Sequence, residues 1–279
     1  MTKEDKQLAT IDERYAVEQV SLFSEFLDRG ILIDVYLPKN IVNPSGLPLL
    51  LINDGQDLPK MPFAPMLSAL VHMEEIVPLL AVGIHCNEDR RLEYGTADEP
   101  DYMNRGSRAK YHRKFIIKEL IPYIRLHYHL PEIKDTAFAG FSLGGLSALD
   151  IVWKHPEIFN TASVFSGSFW WRSNALNHGY REDTDRIMHK LVRNGVFAAN
   201  LKFFFQTGKL DEAMDRNNNG IIDSIDDTLD IIKELESKGY KNGNHMKYFE
   251  MEEGRHDVPT WAAAFPEFLR WRYGKKIIG

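Results

Sequence analysis

A serine lies between paired glycines in the stretch Gly140-Phe141-Ser142-Leu143-Gly144. An apolar run at residues 136–139 precedes it, and a run with helical spacing follows at residues 145–154. In a tight turn from strand to helix, a serine is held with its hydroxyl above the sheet, and glycine suits the positions two before and two after it. The stretch therefore indicates a nucleophile that could attack a carbonyl carbon.

A serine hydroxyl is a weak nucleophile until a base takes its proton, and the base needs a carboxylate that orients it. In α/β hydrolases these groups follow the serine in the order Asp or Glu, then His. Asp211 and His256 have this order, and each comes just past an apolar run that is typical of a strand. Among the ten histidines, His256 alone combines this order with a loop after a strand. We predict Ser142 as nucleophile, His256 as base and Asp211 as the orienting acid.

Two alternatives for the acid stay open at this point. Glu212 is the neighbour of Asp211, and adjacent side chains point in different directions, so only one of the two can serve. A carboxylate from residues 215–227 is the other alternative.

An ester-cleaving serine also needs N–H donors for the oxyanion. We predict the backbone N–H of Leu143, directly after the nucleophile, as one donor. The second is the backbone N–H of Gln56, in the loop after the strand that begins at Leu49. The alternative for this loop is an ordinary Asp-Gly turn.

Strand-like and helix-like runs alternate along the chain and must position these groups. Residues 17–24 and 31–37 flank a turn signal and predict an antiparallel hairpin. Further strands are predicted at 49–53, 79–84, 136–139, 161–165, 201–206 and 246–251, with helices at 108–125, 145–154, 228–237 and 261–271. This alternation predicts a mostly parallel central sheet with an antiparallel N-terminal hairpin and helices on both faces. Together with the order of Ser142, Asp211 and His256, it matches the layout of an α/β-hydrolase fold. We expect residues 1–11 to be a flexible tail and residues 12–279 to form one domain.

Composition narrows the class of protein. The chain has 279 residues, of which 44% are hydrophobic, so it can bury a substantial core. Its net charge of −6 and the lack of a basic run argue against a nucleic-acid partner. Cys86 is the single cysteine, and no run of residues has the length and apolarity of a signal peptide or membrane span. We expect a cytoplasmic protein that binds a small-molecule ester, with its oligomeric state left open.

A second motif begins four residues after Asp211. Oxygen-bearing side chains occupy positions 1, 3, 5, 9 and 12 of a loop of calcium-binding type, namely Asp215, Asn217, Asn219, Asp223 and Asp226. Gly220 allows the sharp turn at position 6, and Ile221 would contribute its backbone carbonyl from position 7. The loop resembles those of EF-hands and dockerins and predicts a structural calcium ion that stiffens the loop of the acid. The alternative is an Asn-rich turn that caps the next helix.

Several stretches together resemble one family. They are residues 51–56, 91–94, 119–123, 140–145, 166–171 and 208–211. They are similar to the putative-esterase family of α/β hydrolases, along residues 17–273. Residues 166–171 (Ser-Gly-Ser-Phe-Trp-Trp) look like the branch of siderophore esterases, and the family also contains feruloyl esterases, acetylxylan esterases and S-formylglutathione hydrolase.

This resemblance implies a serine carboxylic-ester hydrolase that works through an acyl-enzyme, with Ser142, Asp211 and His256 as its triad. No cofactor is implied for the chemistry. Siderophore-type, aromatic and sugar acyl esters are the implied substrates, and Trp170 and Trp171 would line an aromatic pocket unless they pack in the core. The alternatives are an acyltransferase of the same family and a catalytically silent, calcium-dependent binding module on the hydrolase fold.

Overall fold

The sheet is the centre of the molecule. The computed structural model describes residues 14–41, 44–131 and 133–275. Within these residues the strands are β1 (Tyr15–Ser24), β2 (Arg29–Pro38), β3 (Leu49–Asn53), β4 (Leu80–Ile84), β5 (Thr136–Phe141), β6 (Thr161–Phe165), β7 (Lys202–Leu210) and β8 (Met246–Arg255). They form one eight-stranded sheet in the order β1-β2-β4-β3-β5-β6-β7-β8. β2 pairs antiparallel with both β1 and β4, and the other pairs are parallel. The predicted hairpin and mostly parallel sheet are confirmed.

Helices cover both faces of this sheet. In the described parts of the chain they are α1 (Phe63–His72), α2 (Arg90–Glu93), α3 (Ala109–Phe115), α4 (Ile121–His127), α5 (Leu143–Lys154), α6 (Glu182–Asp185), α7 (Ile187–Asn194), α8 (Asp223–Ser237) and α9 (Val258–Tyr273). Apolar residues of α1 and α9 form the core on one face, and those of α3, α4, α5, α7 and α8 form the core on the other. No helix in these parts is long and apolar enough to cross a bilayer. The tail predicted for residues 1–11 lies outside the described residues.

One helix differs from its prediction. The continuous helix predicted for residues 108–125 is divided by a π turn at Ile116–Leu120, between α3 and α4. Pro122 lies at the start of α4. In an unbroken α-helix its ring would press on the carbonyl four residues earlier, at Lys118, and it has no N–H to donate there. The π turn includes Lys118 and is wider than an α-helical turn, so the chain continues in a helical direction past Pro122.

The parallel strands bring four side chains to one edge of the sheet. β5, β6, β7 and β8 end one residue before Ser142, Ser166, Asp211 and His256, respectively. β7 and β8 were predicted to end at Gln206 and Met251. In the structure each strand is four residues longer and ends at Leu210 and Arg255, respectively. The carboxyl edge of a parallel sheet is where α/β proteins place their ligands.

Candidate active site

Ser142 occupies a strained turn. Its φ of 53° and ψ of −121° are rare for a residue with a side chain. A Cβ atom on Gly140 would lie 2.3 Å from the carbonyl oxygen of Gly144, and one on Gly144 would lie 2.6 Å from Asp54 Oδ2. The Ser142 N–H donates to the carbonyl of Phe165 at 2.8 Å, which fixes the turn against β6. The two glycines are therefore needed for the approach of strand, helix and neighbouring loop.

The hydroxyl of Ser142 lies beside a second serine. Ser142 Oγ is 3.2 Å from Ser168 Oγ, and the Ser168 N–H donates to the carbonyl of Ser142 at 3.2 Å. Ser168 is almost fully buried. The sequence reasoning missed this contact, although Ser168 belongs to the Ser-Gly-Ser stretch that carried the resemblance.

Asp211 follows β7 and is buried. Its Oδ1 accepts a hydrogen bond of 3.2 Å from Ser166 Oγ. Its Oδ2 is also buried and has no hydrogen-bond partner among the residues that the structure describes. Burial raises the pKa of Asp211 above its ordinary value, while donors from Gly208 and Ser166 and the charge of His256 act in the opposite direction.

His256 follows β8, with part of its ring open to solvent. The ring lies edge-on to Trp261, with 5.3 Å between the ring centroids. The protein packed around the rest of the ring lowers the pKa of His256 below its ordinary 6.5. Asp211 opposes this shift, and the guanidinium of Arg90 adds to it. Base and acid candidates thus lie close enough to influence each other's charge.

The alternative acids face other groups. Glu212 accepts a backbone hydrogen bond from Ser224, and burial together with Asp223 and Asp227 raises its pKa. Within residues 215–227, Asp227 is fully buried and binds Arg186 and Arg216. Of the carboxylates that act on the pKa of His256, Asp211 has the largest effect and Asp257, its neighbour in sequence, a smaller one.

The loop after β3 is clamped against the nucleophile turn. Asp54 accepts two hydrogen bonds of 2.7 Å from Arg90, and Arg90 also donates to the carbonyl of Phe141 at 3.3 Å. Gly55 has backbone neighbours so close that a Cβ atom there would lie 2.4 Å from Gly83. A partly buried, charge-assisted pair therefore joins this loop to β5.

The two predicted oxyanion donors lie at helix starts. Gln56 is the second residue of a short 3₁₀ helix, Gly55–Lys60, and Leu143 is the first residue of α5. The first N–H groups of a helix have no acceptor within that helix, and they lie at the positive end of its dipole. Both N–H groups are therefore suited to binding a negatively charged oxygen.

The two tryptophans have different surroundings. Trp171 is 0% exposed, donates from its indole N–H to Thr96 Oγ1 at 2.9 Å, and packs on Gly95. Trp170 is half-buried, and the guanidinium carbon of Arg105 lies 4.8 Å from its ring centroid. Of the predicted pocket, only Trp170 has surface that a ligand could touch, while Trp171 supports it from the core.

The calcium prediction finds no support. Within residues 14–41, 44–131 and 133–275, no group of three or more His, Cys, Asp or Glu side chains could hold a metal ion. Asp215 accepts the backbone N–H groups of Asn219 and Gly220, and Asp223 accepts that of Arg216. The amide nitrogens of Asn217 and Asn219, rather than their oxygens, donate to Asp226, and the backbone N–H of Ile221 donates to Asn219 Oδ1. Hydrogen bonds within the loop thus satisfy these polar groups.

The sheet order and the strained serine turn at its carboxyl edge define an α/β hydrolase. The chain belongs to the putative esterase family, whose model matches residues 24–271.

The relatives agree with this assignment. The iron(III) enterobactin esterase of Escherichia coli K12 is 26% identical over 176 residues, which are 62% of this chain and 40% of that protein. This chain thus spans less than half the length of that relative. Among solved structures, the enterobactin esterase of Shigella flexneri gives a TM-score of 0.71 at 20% identity, over 91% of this chain and 58% of that one. A ferulic acid esterase gives 0.69 at 19% identity, over 94% and 98%. At these identities the structural likeness shows the fold.

Proposed function

We propose that the protein is a serine carboxylic-ester hydrolase that works through an acyl-enzyme. The observation that carries this proposal is the strained Ser142 at the sheet edge, with the Asp211–His256 pair at the ends of the neighbouring strands. Membership of the esterase family supports the reaction class.

The proposed reaction has two stages, acylation of Ser142 and hydrolysis of the acyl-enzyme. Ser142 Oγ attacks the ester carbonyl as His256 takes its proton, and the negative oxygen accepts the N–H groups of Gln56 and Leu143. The intermediate collapses to an acyl-enzyme, and the leaving alcohol receives the proton from His256. Water, deprotonated by His256, then releases the acid and frees Ser142. Asp211 orients the imidazole and stabilises its charged form, so this chemistry needs no cofactor.

The experiment that tests the proposal is trapping of the covalent intermediate. A p-nitrophenyl ester is mixed in excess with the enzyme. When the acyl-enzyme forms faster than it is hydrolysed, the first turnover should release a burst of p-nitrophenol equal to the enzyme concentration. A fluorophosphonate should add one label, which peptide mass spectrometry finds on Ser142. A label on another residue, or release of product without any covalent adduct, would contradict the proposal.

The pH dependence follows from the lowered pKa of His256. The base works only when neutral, so kcat/KM should rise with pH to a plateau, with its midpoint below pH 6.5. Burial raises the pKa of Asp150, on α5, to about 6, so this carboxyl titrates in the same range. Asp150→Asn is therefore the control variant. Its kcat/KM should rise with pH at the same midpoint as that of the wild type. An acidic limb with its midpoint at or above pH 6.5 would contradict this assignment of the base.

The acyl group that fits best is aromatic. Trp170 lies two residues after Ser168, whose hydroxyl contacts that of Ser142. The guanidinium of Arg105 stacks on the Trp170 ring and forms an ion pair with Asp101. A flat, electron-rich ring could stack on this pair as phenolic acyl groups would. One similar protein is named an iron(III) enterobactin esterase and one structure of similar fold a ferulic acid esterase, and ferulic acid has a phenolic acyl group.

The stacked Trp170 and Arg105 give a selectivity prediction. Trp170→Ala should raise KM for a hydroxycinnamoyl or dihydroxybenzoyl ester about tenfold and leave KM for an acetyl ester within about twofold. Trp170→Phe, which keeps a ring, should retain most of the aromatic preference. An equal rise in KM for both esters in Trp170→Ala would count against an acyl pocket at this position.

A further inference from the structure

Three contacts join Trp261 and Ser166 to the candidate acid and base. The indole N–H of Trp261 donates to Ser166 Oγ at 3.0 Å, Ser166 Oγ donates to Asp211 Oδ1 at 3.2 Å, and the Trp261 ring meets the edge of His256. We propose that Ser166 and Trp261 are positioning residues that hold Asp211 and His256 in register for proton transfer. The inference rests on the proposed function, because it assigns roles relative to that triad.

The hydrogen bonds from Trp261 to Ser166 and from Ser166 to Asp211 can run in only one direction. An indole N–H can only donate, so Ser166 Oγ must accept it. The single hydroxyl proton of Ser166 is then left for Asp211 Oδ1. With Oδ1 occupied, the buried Oδ2, which has no partner among the described residues, is the oxygen available to the imidazole of His256. Trp261 thus determines, through Ser166, which carboxylate oxygen serves the base.

Both residues are rigidly held. Ser166 is 1% exposed, and its φ of 46° is in the left-handed region that a serine rarely adopts. Its N–H donates to the carbonyl of Gln206 on β7 at 2.8 Å, so the strain is fixed by the sheet. Trp261 is buried in the first turns of α9 and stacks on Phe141, the residue before the nucleophile, at 5.1 Å between centroids. One indole therefore contacts the strand of the nucleophile, the partner of the acid, and the base.

The charges around the pair set the expected direction of a pH effect. Asp257 and Glu212 act on Asp211 as negative charges, the hydroxyl of Tyr248 faces it from β8, and Arg90 acts on His256 as a positive charge. The Ser166 hydrogen bond stabilises the carboxylate form of Asp211. Its removal leaves a more basic carboxylate, so the pair takes up a proton at higher pH, whether the proton resides on the acid or on the base. Loss of Ser166 should move the acidic limb of the rate profile upward.

The test is a double-mutant cycle read as a pH profile. Ser166→Ala should lower kcat roughly 10- to 100-fold, change KM less than about twofold, and shift the acidic limb of kcat/KM to higher pH. Trp261→Phe keeps a ring against His256 and should give a smaller change in the same direction. In the double variant, Trp261→Phe should add nothing to Ser166→Ala, because both act through one hydroxyl. Ser166→Gly, which accepts the positive φ, repeats the hydroxyl loss without backbone strain.

Matched controls lie on the same elements. Ser163 is a buried serine on β6 whose hydroxyl has no partner in the described residues, and Trp271 is on α9 against Phe204. Ser163→Ala and Trp271→Phe should leave the acidic limb unmoved. An unshifted limb in both Ser166 variants, or full additivity in the cycle, would overturn the inference. The proposed function is tested separately, with Ser142→Ala. If that variant were as active as the wild type, the proposed function itself would fail, whatever the Ser166 and Trp261 variants showed.

Discussion

Ser142→Ala is expected to lower kcat for a p-nitrophenyl ester by about 10⁴-fold or more, because the variant has no nucleophile to form the acyl-enzyme. The backbone donors of Gln56 and Leu143 remain, so a small rate above the uncatalysed one should persist. KM should change little, since the hydroxyl of Ser142 contributes mainly to the transition state. Initial rates, with burst amplitudes on the same samples, measure both effects.

The control for this variant is Ser147→Ala, a buried serine on α5, the helix that begins directly after Ser142. Its rate should stay within about threefold of the wild type, because its hydroxyl lies outside the proposed reaction path. A Ser142→Ala enzyme that retained a tenth of the wild-type rate would exclude a serine nucleophile at the turn. Another group would then have to act as the nucleophile.

The parts of the site that the sequence predicts are those that short segments determine. The turn at Ser142 needs glycine on both sides for steric reasons, so its pattern is visible in five residues. Asp211 and His256 were found because each follows an apolar strand, and parallel strands meet at one edge of the sheet. The hairpin and the mostly parallel sheet also follow from local hydrophobic periodicity and from the alternation of strands with helices.

The parts that the sequence does not predict depend on contacts between distant segments. The pairing of Asp54 with Arg90 and the bond from Trp261 to Ser166 join residues 36 and 95 positions apart, and no local spacing marks them. The interior position of Trp171 depends on Gly95 and Gly106, which leave space for its indole. The calcium-type loop shows the converse case, since a full ligand pattern folds here with its oxygens facing N–H donors.

Asp211→Asn is the second prediction with a large effect, and it separates the two neighbouring acids. The amide cannot stabilise a charged imidazole, and its NH₂ group would leave His256 in the wrong tautomer, so kcat should fall about 10⁴-fold at neutral pH. The side chain keeps its size, and Ser166 can still donate to the amide oxygen. The fold should therefore survive, which circular dichroism and thermal melting would show.

Glu212→Gln is its matched control, because it makes the same chemical change one position along the chain. Glu212 lies near Asp223 and Asp227, whose charges raise its pKa, so loss of its charge relieves repulsion in that buried cluster. We expect kcat within about threefold of the wild type and a melting temperature that is equal or higher. The reverse result, a large loss in Glu212→Gln with Asp211→Asn nearly active, would assign the acid to Glu212. It would also require the strand end at Leu210 to turn the other way in the working enzyme, because only one of two adjacent carboxylates can face His256.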